Sequence, residues 1–173
     1  MWGDNYFGGR RQSDQPYYEV AQICLNGHVI TSIAQRHPEL KKLRCPTCGE
    51  QTITHCPDCN QPIKGDYFVP GVVDFSAYHK SAYCDSCGQP YPWTKRNQEA
   101  VAELIEFSEM LSATEKEDFK GSIKDLMIQT PKTNLAVTKY KTYIKKAGTE
   151  VAKGLKEILI DVVSETVKKS IWG

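Results

Sequence analysis

Seven cysteines and one histidine fall into four short pairs: Cys24 with His28, Cys45 with Cys48, Cys56 with Cys59, and Cys84 with Cys87. They use every cysteine of the 173-residue chain. Two ligands on one tight turn can grip a metal ion while the turn's backbone N–H groups face the sulfurs and steady their charge. Eight ligands fill two tetrahedral sites, so the expected chemistry is the binding of two structural Zn2+ ions. Turns of this kind end in a residue with positive φ, which favours Gly or Asn. Gly49, Asn60 and Gly88 each follow the second cysteine of a pair, and Gly27 sits inside the turn that ends in His28.

Competing chemistries fit less well. Disulfides would leave one of the seven cysteines over, and Met1 to Arg11 is polar and glycine-rich, unlike a secretion signal, so a reducing cytoplasm is the expected location. Iron–sulfur ligation stays open as the alternative metal chemistry. Taken in order, Cys24, His28, Cys45 and Cys48 make one site and Cys56, Cys59, Cys84 and Cys87 the other. A cross-braced arrangement would join the first pair to the third and the second to the fourth. The seven residues between Cys48 and Cys56 suit two successive modules. His28 stands close to where a second cysteine stands in the other pairs. His37, His55 and His79 do not, and read as surface or packing histidines, with His55 and His79 near enough to a cysteine to support a ligand.

The knuckles Cys-x-Asn-Gly-His and Cys-Pro-x-Cys-Gly resemble those of the zinc-ribbon and treble-clef families, and Cys84-Asp-Ser-Cys-Gly-Gln-Pro-Tyr-Pro-Trp93 looks like the closing knuckle of a ribbon. The whole chain, a cysteine-rich head and a helical tail ending in Lys168-Lys-Ser-Ile-Trp-Gly173, is similar to a bacterial family of double-zinc-ribbon proteins of unknown function. That resemblance implies a fold and a metal but no activity.

The elements that must position these ligands follow from periodicity. The fold class expected is small α+β, with a tandem zinc-ribbon head of short β-hairpins followed by an α-helical C-terminal region. Residues 1–16, with Trp2, Tyr6 and Phe7 among Gly, Asn and Asp, read as a flexible arm. Residues 17–93 form the ribbon domain. Tyr17 to Ile23 reads as a strand, Thr31 to His37 as a helical turn before Pro38, and Tyr67 to Val69 with Val72 to Phe75 as a hairpin about Pro70-Gly71. Residues 94–131 read as a helical hairpin. Its first helix runs from about Asn97 to Leu111, and its second follows a capping box at Thr114/Glu117 and stops before Pro131.

Residues 132–173 carry an apolar stripe through Ile144, Ala147, Val151, Leu155, Ile158 and Val162, which predicts a long amphipathic helix or a pair broken near Gly148 or Gly154. Unbroken from Leu135 to Ile171 it would be roughly 55 Å long at about 1.5 Å per residue. A face that long must be covered by the chain's own helices, by a second copy or another protein, or by a membrane surface. The membrane reading draws on Lys139, Lys141, Lys145, Lys146, Lys168, Lys169 and Trp172, but Glu150, Glu157, Asp161 and Glu165 interrupt the basic face. No transmembrane span is expected, since Asp161 breaks the run from Ile158 to Val163.

Charge narrows the function classes. Seven thiolates bring seven negative charges and two divalent ions four positive ones, so the loaded protein sits near −2 instead of the formal +1. Four protein ligands per metal leave no open position for substrate, and no nucleophile elbow, phosphate loop or carboxylate pair is present, so no enzyme is expected. The reading is a non-catalytic, zinc-binding adaptor that engages a protein partner or self-associates through the tail stripe. Nucleic acid is the alternative, through Arg36, Lys41, Lys42 and Arg44 with stacking from Tyr67, Phe68, Phe75, Tyr78 and Trp93. A membrane-surface module acting through the basic tail is the further alternative.

Overall fold

The computed structural model describes residues 15–72, 76–128, 130–160 and 162–173. The expected flexible arm lies outside the described residues up to position 14, as do Phe75 and Asp161. The chain divides into two compact units, Met1–Tyr91 and Pro92–Gly173.

The described residues of the first unit form five short strands in two sheets. β1 (Tyr17–Val20) pairs antiparallel with β5 (Lys64–Phe68), while β2 (Gln22–Cys24) lies between β3 (Val29–Thr31) and β4 (Thr52–Ile53). The expected strand from Tyr17 to Ile23 therefore splits at Ala21, whose N–H bonds to Ile63 O at 2.8 Å, and serves both sheets. The hairpin expected about Pro70-Gly71 is not how Tyr67 and Phe68 are used. They pair with the start of the chain, Tyr17 opposite Phe68 and Tyr18 opposite Tyr67, with ring centroids 5.4 and 4.8 Å apart. Cross-strand aromatic pairs are among the better-paired side chains of antiparallel ladders, which explains the preference. The other arm of that hairpin lies outside the described residues over 73–75. Gly65 permits the pairing, since a Cβ there would stand 2.0 Å from Ser32 O.

Two polar side chains hold the loops in place. Glu19 is buried, and its carboxylate accepts from Arg36 Nε at 3.0 Å, Arg36 N at 3.2 Å and the Tyr17 hydroxyl at 3.1 Å, so the charge is paired and hydrogen-bonded as burial requires. Gln22 acts as a surrogate strand: its Nε2 donates to Lys42 O (2.9 Å) and its Oε1 accepts from Lys42 N (2.9 Å), fixing the segment that leads into Cys45. Between them, His37 N bonds to Ile33 O at 2.9 Å, a single helical turn that leads into a short 3-10 turn, Pro38–Leu40.

The second unit is all helical: α1 (Pro92–Glu106), α2 (Ala113–Met127), α3 (Thr133–Lys146), α4 (Thr149–Leu159) and α5 (Glu165–Trp172). α1 begins earlier than apolar periodicity alone indicates because Pro92 is acceptable in a first helical turn, where the missing N–H has no partner to lose. The capping box of α2 lies at Ser112/Glu115 and not at Thr114/Glu117: Glu115 N donates to Ser112 Oγ at 3.3 Å and Ser112 N to Glu115 Oε2 at 3.0 Å. Residues 132–173 make three helices, broken first at Gly148 with φ +91 and again where Ser164 caps α5 by accepting from Val167 N. Gly154 does not break the chain. It stays inside α4, where an added Cβ would come within 3.0 Å of Leu104 Cδ1 on α1.

This unit has its own core. Phe119, Ile123, Leu126, Tyr140, Leu155 and Leu159 are among its buried residues. The tail stripe proposed for association belongs to that core: Ala147, Val151 and Leu155 are buried, and Ile144, Ile158 and Val162 pack against them. Breaking the tail at two points folds much of its apolar face back onto α1 and α2, so Ala147, Val151 and Leu155 are covered by the chain's own helices, while Ile144, Ile158 and Val162 stay partly exposed.

Candidate metal centres

Three knuckles repeat one backbone design. In each, the N–H of the residue after the second cysteine returns to the carbonyl of the first: Gly49 to Cys45, Asn60 to Cys56 and Gly88 to Cys84, all at 2.8 Å. The first cysteine's N–H then reaches the carbonyl five residues on, Cys45 to Glu50, Cys56 to Gln61 and Cys84 to Gln89, at 2.8 to 2.9 Å. Bridges Arg44 to Gln51, His55 to Pro62 and Tyr83 to Pro90 close the base of each turn. Reversing the chain so tightly needs positive φ, found at Gly49 (71°), Asn60 (58°) and Gly88 (71°). The fourth turn runs through Gly27 (φ 88°), with Gly27 N bonded to Cys24 O at 2.8 Å and His28 N donating to Cys24 Sγ at 3.2 Å.

The pairs combine in sequence order. Cys24, His28, Cys45 and Cys48 form one group and Cys56, Cys59, Cys84 and Cys87 the other, with all ligand atoms of a group within 4.8 Å of one another. A tetrahedral ion holding sulfur at about 2.3 Å and imidazole nitrogen at about 2.0–2.1 Å requires edges of about 3.8 Å between sulfurs and about 3.5 Å between sulfur and nitrogen. In the first group Cys24 Sγ lies 3.8 Å from Cys48 Sγ, and His28 Nδ1 lies 3.4 Å from Cys24 Sγ and 3.6 Å from Cys45 Sγ. In the second, Cys56 to Cys87 is 3.8 Å and Cys59 to Cys84 is 3.7 Å. These are the edges of a cage for one ion. They are far longer than the roughly 2 Å of a disulfide.

The electrostatics of the thiols also call for a cation. Burial pushes the Cys45 thiol up, but N–H groups of Cys48 and Thr47, helped by neighbouring thiols, more than offset it and bring it down to about 6. The Cys87 and Ser86 N–H groups likewise bring Cys84 down to about 6 against burial. Their neighbours move the other way. Burial raises Cys24, and although the Gln61 N–H lowers Cys59, burial and three adjacent thiols push it up to about 12. The lowered Cys45 and Cys84 thiols ionise readily, and a bound cation would favour ionisation of the raised Cys24 and Cys59 beside them.

Two supporting side chains escaped the sequence reading. Asn26 Nδ2 donates to Cys48 Sγ at 3.5 Å, the role of the Asn in the Cys-x-Asn-Gly-His turn. Tyr91 is buried, and its phenol is raised first by that burial and then by its hydrogen bond to Cys84. The Tyr-Pro-Trp sequence after the last knuckle was the available signal. Beyond these, Lys64 on β5 forms an ion pair with Asp85 inside the last knuckle, tying that turn to the sheet.

The remaining histidines stand apart from both cages: His37 pairs with Glu39 at 2.8 Å and His55 bonds Thr54 Oγ1 at 2.9 Å, while His79 is exposed. The four basic residues considered for nucleic acid are not equivalent. Arg36 is held by Glu19 and lies over the Phe68 ring, 3.8 Å from its guanidinium carbon, yet like Lys41, Lys42 and Arg44 it remains exposed. Among the described residues, no helix is long and apolar enough to cross a membrane.

No curated protein and no solved structure is significantly similar to this chain. A family described as uncharacterized proteins conserved in bacteria, DUF2321, matches residues 17–171, both cysteine groups and all five helices down to Ile171 included. With two cysteine-rich clusters consistent with double zinc-ribbon knuckles and a match over nearly its whole length, the chain belongs to that bacterial family.

Proposed function

We propose that this protein is a non-catalytic interaction module whose head is held together by two structural Zn2+ ions. The observation that carries the reading is the ligand count at near-tetrahedral spacing: four protein side chains per cage, all ligand atoms within 4.8 Å of one another, with close edges of 3.4 to 3.8 Å such as Cys24 to His28 and Cys56 to Cys87. A site with four protein ligands leaves a metal no position for water or substrate, and that is the hallmark of a structural site. Thiolate-rich tetrahedral sets favour zinc. An iron–sulfur cluster fits poorly, since its cysteines bind different iron atoms and must stand further apart than the ligands of one ion. With all seven cysteines committed to metal, the chain has no spare thiol nucleophile.

The partner we favour is a protein. Because Ala147, Val151 and Leu155 of the tail stripe are spent inside the helical unit, such a partner must be met by other residues.

Native mass spectrometry of protein purified without added metal tests the reading. Two zinc ions per chain are expected, with one remaining in His28→Ala and two in His37→Ala. One ion or none in the unmutated protein, or a mass for an iron–sulfur cluster, would overturn it.

A further inference from the structure

α3, α4 and α5 enclose an open groove of about 580 Å³ on the helical unit. Its floor is apolar: Ile144 from α3, Ala152 from α4, and Ile171 with Trp172 from α5. Its rim is cationic, with Lys141 and Lys145 one turn apart on α3 and Lys153 and Lys156 three residues apart on α4. Among the described residues no carboxylate lines it. Other lysines of the same helices are neutralised by the fold, as Lys139 is by Asp118 at 2.5 Å, Lys146 by Glu115 at 2.8 Å and Lys168 by Glu165 at 2.6 Å. None of the four rim lysines pairs with a carboxylate among the described residues, and Lys156 leans towards the Trp172 ring at 5.9 Å. The rim is thus an unneutralised double row of charge around an apolar trough.

We propose that this groove docks an acidic amphipathic helix of a partner protein, whose apolar stripe fills the floor and whose flanking carboxylates meet the two lysine rows. The inference deepens the interaction-module reading by naming the partner's chemistry, and rests on it. Two features select a helix over an anionic bilayer. The apolar floor is partly buried while the lysines beside it are exposed, so a flat surface would meet the ammonium groups without reaching the isoleucines. A helix, by contrast, projects a narrow row of side chains between two ridges and keeps its polar face in water. An isolated acyl chain in so open a trough would leave much of its own surface exposed to water. The volume suits a few inserted side chains, at the scale of a small-molecule site.

The test uses the full zinc-loaded chain and a pooled library of helical peptides, each with a randomised apolar stripe at every third and fourth position flanked by Glu. A library of the same composition with scrambled order is the control. Peptides enriched on the unmutated protein should bind Lys145→Glu/Lys153→Glu at least about tenfold more weakly, since two attractions become repulsions, and should weaken with added salt. They should shift the indole N–H resonance of Trp172, assigned with Trp172→Phe. No enrichment over the scrambled library, enrichment that the lysine reversals do not reduce, or binding only to phosphatidylglycerol vesicles would overturn the proposal. Counting zinc in the same samples separates the outcomes: two ions per chain with no peptide bound refutes the groove alone, and missing metal refutes the reading of the head.

Discussion

Stripping the metal with a strong chelator should unfold the head and spare the helices. Apart from the ligand cysteines, the buried apolar residues of the head among those described are Ala21, Ile23, Ala34, Ile63 and Tyr91. Five such side chains at about 1–3 kcal/mol each cannot offset the conformational entropy of ordering so many residues, at about 1–2 kcal/mol apiece. A structural zinc site contributes about 10–16 kcal/mol of apparent binding energy, as much as the whole stability of an ordinary domain. The helical unit is different: its described residues put fifteen buried side chains in one core and include no candidate metal ligand group. The five helices, of 15, 15, 14, 11 and 8 residues, all lie in it. Chelation should therefore leave most of the far-UV helical signal in place, collapse the dispersed amide resonances of residues 15–72, and open all seven thiols to Ellman's reagent. Restoring zinc should reverse each change. Loss of the helical signal in step with the head, or thiols that stay protected once the metal is gone, would refute the reasoning.

Leu155 is fully buried in the helical core, so Leu155→Asp should destabilise that unit by more than about 4 kcal/mol and abolish its thermal transition, whereas on a free association face it would yield a well-folded monomer. Gly65→Ala places a methyl group 2.0 Å from Ser32 O and should cost at least about 2 kcal/mol, read as faster zinc release to a colorimetric chelator, with Gly121→Ala, where no atom lies within 4 Å, as the control. Glu115 is held down at about 2 from its ordinary 4.5, chiefly by Lys146 and then by the Ser112 N–H. A depressed carboxyl contributes stability that is full above 4.5 and lost as the pH falls towards 2. Glu115→Gln should therefore flatten the acid dependence of helix melting across that window, followed by circular dichroism; an unchanged acid limb would refute the assignment.

The four candidate ligand pairs and the turn residues behind each were legible in the sequence, because a metal knuckle is local: a spacing, a backbone bond and a residue that tolerates positive φ all lie within six positions, whereas the joining of pairs in sequential sets over the cross-braced alternative came from the structure. The helical character of the tail was legible for the same reason, but its break was narrowed only to Gly148 or Gly154, and the structure places it at Gly148. Distant pairings were not. Nothing near Tyr67 and Phe68 says that their strand partners are Tyr17 and Tyr18, fifty residues away, or that Gly65 is required by the Ser32 carbonyl. Nor does the stripe of Ile144, Ala147, Val151 and Leu155 say what covers it, since periodicity marks an apolar face but not its partner. Sequence alone determined the candidate ligand pairs and the types of the elements, because both arise from neighbours along the chain. The tertiary structure decided which faces are spent inside the protein and which, like the lysine-rimmed groove, stay open, because burial depends on contacts between residues far apart in sequence.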